Sequence, residues 1–309
     1  MLYIRCILIL NAVALLASCS GGGGNSATMP MPTPIAPVPF TSFSAVKSGQ
    51  PVQASGISQT VDATTSGSLP PTVLSTTVNA VDTTSSNATI TYGAIPTITA
   101  FSFSTPSSSV SFSSGILCSL GVCGHSTNSS SGAILNALDP ALAWNYQTFG
   151  YWLAVGSANT AAAGAISVGN PTPISGMPIS STATYTGISA GTYVSSSGTV
   201  FVHAANMSST VDFANRTIAF STSSTAIGSL TGGGLVLTPS LNLTASLMYA
   251  PGSNQFSGTV SAPGTPSLTT SSISGQFYGP TAQEIGGVYS LKAASGPETM
   301  LGAFGGKRP

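Results

Sequence analysis

The chain has 309 residues, of which 42% are hydrophobic and 4% charged, with six basic side chains set against six acidic ones. That balance excludes a basic surface for nucleic acid, and the hydrophobic content excludes a chain too polar to build a core. Serine, threonine, glycine and asparagine fill the polar positions, a composition suited to strands and turns rather than helices.

The N-terminus reads as a targeting segment. Arg5 supplies a positive charge, residues 6–16 are largely apolar, and Leu16-Ala17-Ser18-Cys19 ends the run on small residues and a thiol. This is the pattern of a lipoprotein signal peptide over residues 1–18, with Cys19 the first mature residue and the point of lipid attachment. An ordinary secretory signal followed by a chance cysteine is the competing reading. Acyl chains stabilise membrane attachment by about 0.8 kcal/mol per buried CH₂, and no later segment has 18 consecutive apolar residues to span a bilayer. Ser20 in the second mature position favours the outer membrane over the inner. Loss of Arg5 leaves five basic and six acidic residues, a net charge near −1. Residues 19–45 form a lipidated tether, flexible where Gly21 to Gly24 carry no side chains and stiffer where proline recurs in residues 25–39.

From residue 40 to 131 serine and threonine alternate with valine, isoleucine and phenylalanine in short bursts, clearest at 72–75, 88–92, 97–103 and 110–112. Period-two alternation predicts strands with one buried face; a Ser/Thr-rich stalk is the competing reading. Cys118 and Cys123 enclose four residues and are the cysteines that remain once Cys6 is removed and Cys19 acylated. In an exported protein that spacing predicts a disulfide across a tight hairpin, against a metal site with His125 that lacks a fourth ligand nearby. Residues 133–142, with Ile134, Leu138 and Leu142 four apart, predict a short helix broken at Asp139-Pro140. Trp144, Tyr146, Phe149, Tyr151 and Trp152 follow, a cluster that serves either as a core strand or as a ligand platform. Strict alternation puts Trp144, Tyr146 and Trp152 on one face and Phe149 and Tyr151 on the other.

The last 130 or so residues show strands at roughly ten-residue spacing separated by Gly, Asn and Pro, the pattern of an antiparallel meander. The predicted strands are 181–187, 199–203, 209–213, 217–221, 241–249, 255–260, 273–278, 287–292 and 300–304. A hairpin at Ala214-Asn215-Arg216 places Asn where positive φ is tolerated. Seven or eight such strands close a barrel, and closure removes an edge that few charges would guard. Gly187-Ile188-Ser189-Ala190-Gly191 matches the nucleophile elbow of hydrolases, but strand-like residues follow where that motif needs a helix. His125 and His203 are the histidines available as a base, and paired carboxylates are absent, so the chain reads as no enzyme. His203, in an apolar strand, is a candidate haem ligand or a buried structural residue.

The run Gly275-Gln276-Phe277-Tyr278-Gly279-Pro280-Thr281-Ala282-Gln283-Glu284-Ile285-Gly286-Gly287, closing on Ala303-Phe304-Gly305-Gly306-Lys307-Arg308, resembles the C-terminal β-barrel of transferrin-binding protein B and related surface lipoproteins. Residues 145–152 are similar to an aromatic strand of that family, and the glycine run after Cys19 to its lipidated N-termini. The resemblance implies an all-β fold, with an eight-stranded antiparallel β-barrel over residues 176–309 preceded by a smaller β-rich, handle-like domain over residues 46–175. Physically, Phe277, Tyr278, Gly279 and Pro280 end a strand, Gly286 and Gly287 let the chain turn back closely, and Glu284 accepts backbone N–H groups within that turn. The resemblance further implies an auxiliary receptor of the outer-membrane surface that takes an iron- or haem-carrying macromolecule, or another nutrient, and hands it to a TonB-dependent transporter. Trp144, Tyr146, Tyr151, Trp152 and His203 are then the candidate ligand-binding residues. No metal or resident cofactor is expected, haem being the one candidate. A structural or protective surface lipoprotein without cargo is the alternative, because uncharged Ser/Thr surfaces suit passive coats.

Overall fold

The computed structural model describes residues 42–309 apart from 67–71, 120, 127–129, 141, 143, 157–158 and 231–233. The signal peptide, Cys19 and the tether as far as residue 41 lie outside the described residues.

The first half of the chain is folded as one curled antiparallel sheet of ten strands. These are β1 (Pro51–Ser66), β2 (Thr72–Val78), β3 (Asp82–Tyr92), β4 (Ile98–Ser104), β5 (Ser109–Phe112), β6 (Leu117–Ser119), β7 (Val122–Ser126), β8 (Ser130–Leu135), β9 (Gln147–Val155) and β10 (Thr160–Gly169). Their order is β5-β4-β3-β1-β10-β9-β8-β7-β6, with β2 paired on the second half of β1. β3 and β4 show why the alternating bursts form strands: Ala88, Ile90, Phe101 and Phe103 are buried while intervening Ser and Thr face outward or sit half-buried. Phe103 of β4 stacks on Trp152 of β9 at 5.2 Å and Phe112 of β5 lies against His125 of β7 at 5.3 Å, so the two wings of the sheet roll over one aromatic interior.

The helix expected at 133–142 does not form. Residues 130–135 are strand β8, in register with both β7 and β9, and Asn136 starts a tight turn that accepts the Asp139 N–H. Two flanking strands offer this segment a full backbone ladder, and that outweighs a single turn of helical periodicity.

The second half forms the barrel from β11 (Thr182–Val194), β12 (Val200–Asp212), β13 (Thr217–Ser229), β15 (Thr244–Tyr249), β16 (Gln255–Gly258), β17 (Leu268–Tyr278), β18 (Glu284–Ala293) and β19 (Thr299–Lys307), with a two-residue strand β14 (Val236–Leu237) attached to β13. The order β12-β11-β19-β18-β17-β16-β15-β13 closes through β12–β13 pairing, giving a sealed cylinder of eight antiparallel strands. The segments predicted at 199–203 and 209–213 are a single strand, β12, whose pairing with β13 shifts register between Ala204 and Asn206. In the β12–β13 turn, Arg216 and not Asn215 takes positive φ, 55°; Asn215 instead donates its N–H and amide to the Asp212 carboxylate. Phe277 sits at the centre of the lower barrel, with Tyr249, Phe256 and Phe213 rings at 5.5, 5.6 and 5.8 Å. Each such buried ring contributes roughly 1.5–3 kcal/mol.

The two sheets share a core. Ile188, Val288, Leu301 and Ala303 point out of the barrel and are buried in one cluster with Ile57, Phe149, Ala165 and Val168 of the first sheet. β9, β10 and β1 therefore lie against the barrel wall built by β11, β19 and β18.

Candidate functional site

A buried polar construction lies along the seam between the handle-like sheet and the barrel. Glu284, the first residue of β18, is 3% exposed. Its Oε1 accepts the Asn145 N–H at 2.8 Å, and its Oε2 accepts those of Tyr146 and Gln147 at 3.0 and 2.9 Å. Its role as a carboxylate accepting backbone N–H groups is seen, but the donors are not in its own turn; they belong to a segment 137–139 residues away that leads into β9. Burial pushes the Glu284 carboxyl up to about 7, while the three N–H donors and Lys307, its cross-strand neighbour on β19, pull the other way. Lys307 Nζ in turn donates to the Leu142 carbonyl of the handle side.

Further bonds extend the seam. Gln147 Nε2 donates to the Ile285 carbonyl at 2.8 Å, and Ser167 Oγ pairs with Tyr278 OH at 3.0 Å. At its far side Gln59 Nε2 donates to Ser272 Oγ at 3.0 Å, and Thr76 pairs with Thr299 at 2.6 Å between hydroxyls. Gly286 and Gly287 lie inside β18 and do not make a turn; the turn is at residues 279–283, where Gly279 has φ 86°. What Gly286 provides is closeness, since a Cβ there would stand 2.2 Å from Gln147 Oε1. Gly305 does the same, with a Cβ 2.4 Å from Gln147 Nε2 and 2.5 Å from the Trp144 ring.

The aromatic cluster is built into this architecture. Trp152 is fully buried on the inner face of the handle sheet, and Phe149 and Tyr151 turn toward the barrel, as alternation predicts. Trp144 departs from that pattern: it precedes β9, is 3% exposed, and sits beside Phe149 at 6.1 Å against the barrel. Tyr151 is 8% exposed, and its hydroxyl pKa is pushed up to about 12 by burial. Tyr146 is half-buried against Gly279. Trp144, Tyr151 and Trp152, three of the five residues singled out as ligand candidates, thus form interior packing, because a sheet sandwiched between its own curl and a barrel leaves them no free face. His203 also points inward. It is 1% exposed, Nε2 lies 3.2 Å from the Leu301 carbonyl, and burial lowers its pKa to about 4. It fills the barrel and offers no open axial position to a haem.

Ser189 of the hydrolase-like motif lies in mid-strand β11, buried inside the barrel, with its Oγ 2.7 Å from Tyr289 OH; no elbow exposes it. Cys118 and Cys123 face each other across β6 and β7 with Cα atoms 4.0 Å apart and are joined by a disulfide. Among the described residues no group of three or more His, Cys, Asp or Glu side chains could hold a metal. A shallow cleft of about 400 Å³ at the outer end of β1, β2, β9 and β10 carries Asp62 among Thr64, Ser75, Thr77 and Thr160.

A curled handle sheet packed through a buried polar seam on a closed eight-stranded barrel defines a class of two-part β lobe. Residues 177–308 match the family model described as the C-lobe and N-lobe β-barrels of transferrin-binding protein B. Similar solved structures include a mutant of transferrin-binding protein B from Haemophilus parasuis, 15% identical over 82% of this chain and 45% of that one, with TM-score 0.47. Another is isotype 1 transferrin-binding protein B from serogroup B Neisseria meningitidis, 17% identical over 82% of this chain and 43% of that one, TM-score 0.43. A protein described as a surface lipoprotein is 15% identical over 81% of this chain and 98% of its own, TM-score 0.42. The chain thus spans less than half the length of these two transferrin-binding proteins. No curated protein matches the sequence.

Proposed function

We propose that the chain is a lipid-anchored lobe on the outer-membrane surface that binds a macromolecular cargo outside the cell and passes it to a TonB-dependent transporter during iron, haem or other nutrient acquisition. The observation that carries this reading is the barrel match over residues 177–308, in a chain whose N-terminus has the form of a lipoprotein signal ending at Cys19. The buried seam supports it physically: a receptor whose loops meet a large partner gains from a scaffold that does not reorganise on binding. Transferrin is named for the relatives and is not assigned to this chain, which is about one lobe long and carries only six acidic and six basic residues. No catalytic role is assigned to any residue.

One observation favours the second reading, a protective coat without cargo. The exposed barrel wall carries Thr184, Thr210, Ala219 and Ser246 in one cross-strand row, small and uncharged throughout. An immobilised soluble form, residues 25–309, exposed to host fluid and to iron-limited culture medium, separates the two. Saturable retention of one protein is expected, and retention of none supports the coat. Labelling of the full chain with an alkyne fatty acid, abolished by Cys19→Ser, tests the anchor.

A further inference from the structure

We infer that the cleft at the outer end of β1, β2, β9 and β10 receives one basic side chain, arginine or lysine, of a protein partner. The inference rests on the receptor reading above for the partner being a protein, and on the cleft itself for the rest. Strand register shows how the cleft arises. On one face of the handle sheet Thr60, Gly164 and Trp152 stand in a row, and that row is filled. The Trp152 ring covers Gly164, where a Cβ would run into it, and Thr60 Oγ1 pairs with Ser107 Oγ at 2.9 Å. The next row on the same face is Thr77, Asp62, Ala162 and Ala154, and the one beyond it holds Ser75, Thr64 and Thr160. Where an indole fills the first row, alanine methyls stand in the second, and the missing volume is the cleft of about 400 Å³.

The charge in this cleft is Asp62. Its carboxylate is exposed; Oδ2 accepts the Asn79 amide at 2.9 Å, and Oδ1 accepts no hydrogen bond among the described residues. The same amide donates to Thr60 Oγ1 at 2.9 Å, so Asn79 ties the carboxylate to the filled row and fixes its place. Among the described residues no Lys, Arg or His lines the cleft, and residues 67–71 and 156–159, which join its strands in the sequence, carry no charge. Lys292 does not answer it: its Nζ bonds Thr76 Oγ1 at 3.1 Å, and Thr76 faces the other side of β2 from Ser75 and Thr77. A positioned carboxylate without a counter-charge, standing among alanine methyls, is complementary to a cation on an apolar stem. The stem of an arginine or lysine covers Ala154 and Ala162 while its head meets Asp62 Oδ1 in a charge-assisted bond. The hydroxyl of Thr77, the cross-strand neighbour of Asp62, stands ready to accept a second N–H. A divalent metal ion is a poorer match, because one carboxylate leaves half its charge uncompensated.

The test titrates residues 25–309 with the peptide acetyl-Gly-Arg-Gly-amide and follows backbone amide shifts by NMR. Shifts are expected at Asp62, Thr77 and Ala162. Binding is expected to weaken about fivefold in Asp62→Asn, which keeps an acceptor for Asn79, and in Ala162→Leu, which fills the cleft and leaves the charge. The same peptide with citrulline for arginine, alike in shape but neutral, should leave these amides unmoved, and Asp212→Asn at the β12–β13 turn should bind as wild type does. No shift at these amides, equal binding of the citrulline peptide, or equal weakening by Asp212→Asn overturns the proposal. Cargo held equally by immobilised wild type and Asp62→Asn also overturns it, while the receptor reading survives. Peptide binding that follows the expected pattern without any retained cargo upholds the cleft and removes the receptor reading alone.

Discussion

Glu284 and His203 are both buried, and burial moves their protonation in opposite directions with respect to stability. The Glu284 carboxyl is raised from 4.5 to about 7, so the stability linked to it is fully present below pH 4.5 and is lost as pH rises through 7. His203 is lowered from 6.5 to about 4, so its share is present above pH 6.5 and is lost as pH falls toward 4. Each shift corresponds to about 3 kcal/mol, and between pH 4.5 and 6.5 the two slopes nearly cancel. Tm of the wild type is accordingly expected to be flat across that window. Glu284→Gln should melt lower at pH 5 than at pH 7, and His203→Gln should melt higher at pH 5 than at pH 7.5; flat profiles in both variants would reject the assignment. Glu284→Ala leaves three buried N–H groups without an acceptor and should cost about 2–4 kcal/mol by chemical denaturation at pH 7. From sequence, Glu284 was recognisable as a structural acid in a chain with few charges. Its donors were not, because they lie more than 130 residues away and nothing local to Asn145, Tyr146 or Gln147 marks them.

Among the elements, the barrel strands were the most legible, since antiparallel strands with one solvated face alternate cleanly and their turns carry Gly, Pro and Asn. β12 looks like two pieces in the sequence because the polar Asn206 and Ser208 fall at its centre, near the point where its pairing with β13 shifts. β8 carries a misleading helical signal because Ile134, Leu138 and Leu142 share a helical spacing, although the last two lie beyond the strand. The contact of β18 and β19 with the handle rests on missing side chains, and substitution tests it. Gly305→Val would drive new atoms into Trp144 and Gln147 and is expected to cost at least ~3 kcal/mol by overpacking and lost seam bonds. Gly252→Ala, in a turn with open space around it and φ 71°, should cost only about 1 kcal/mol from the backbone term. Similar losses at the two sites, read from denaturant midpoints, would contradict the close approach. At the β6–β7 hairpin, reduction of the Cys118–Cys123 bond returns only a short loop's entropy to the unfolded chain, so a loss of about 2 kcal/mol is expected.

At the scale of the whole molecule, handle and barrel are joined by a shared apolar cluster and by hydrogen bonds at both ends of the seam. Such an interface resembles an interior more than a contact between independent domains. Its construction also explains why so weakly charged a chain can hold two sheets in one orientation: backbone groups and amides carry the polar work that ion pairs do elsewhere. That the two sheets form one cooperative unit is tested most directly by calorimetry of residues 25–309 at pH 7. One transition is predicted, with calorimetric and van't Hoff enthalpies equal, and Glu284→Ala should lower its temperature without splitting it. Two resolved transitions in the wild type, one for each sheet, would contradict it.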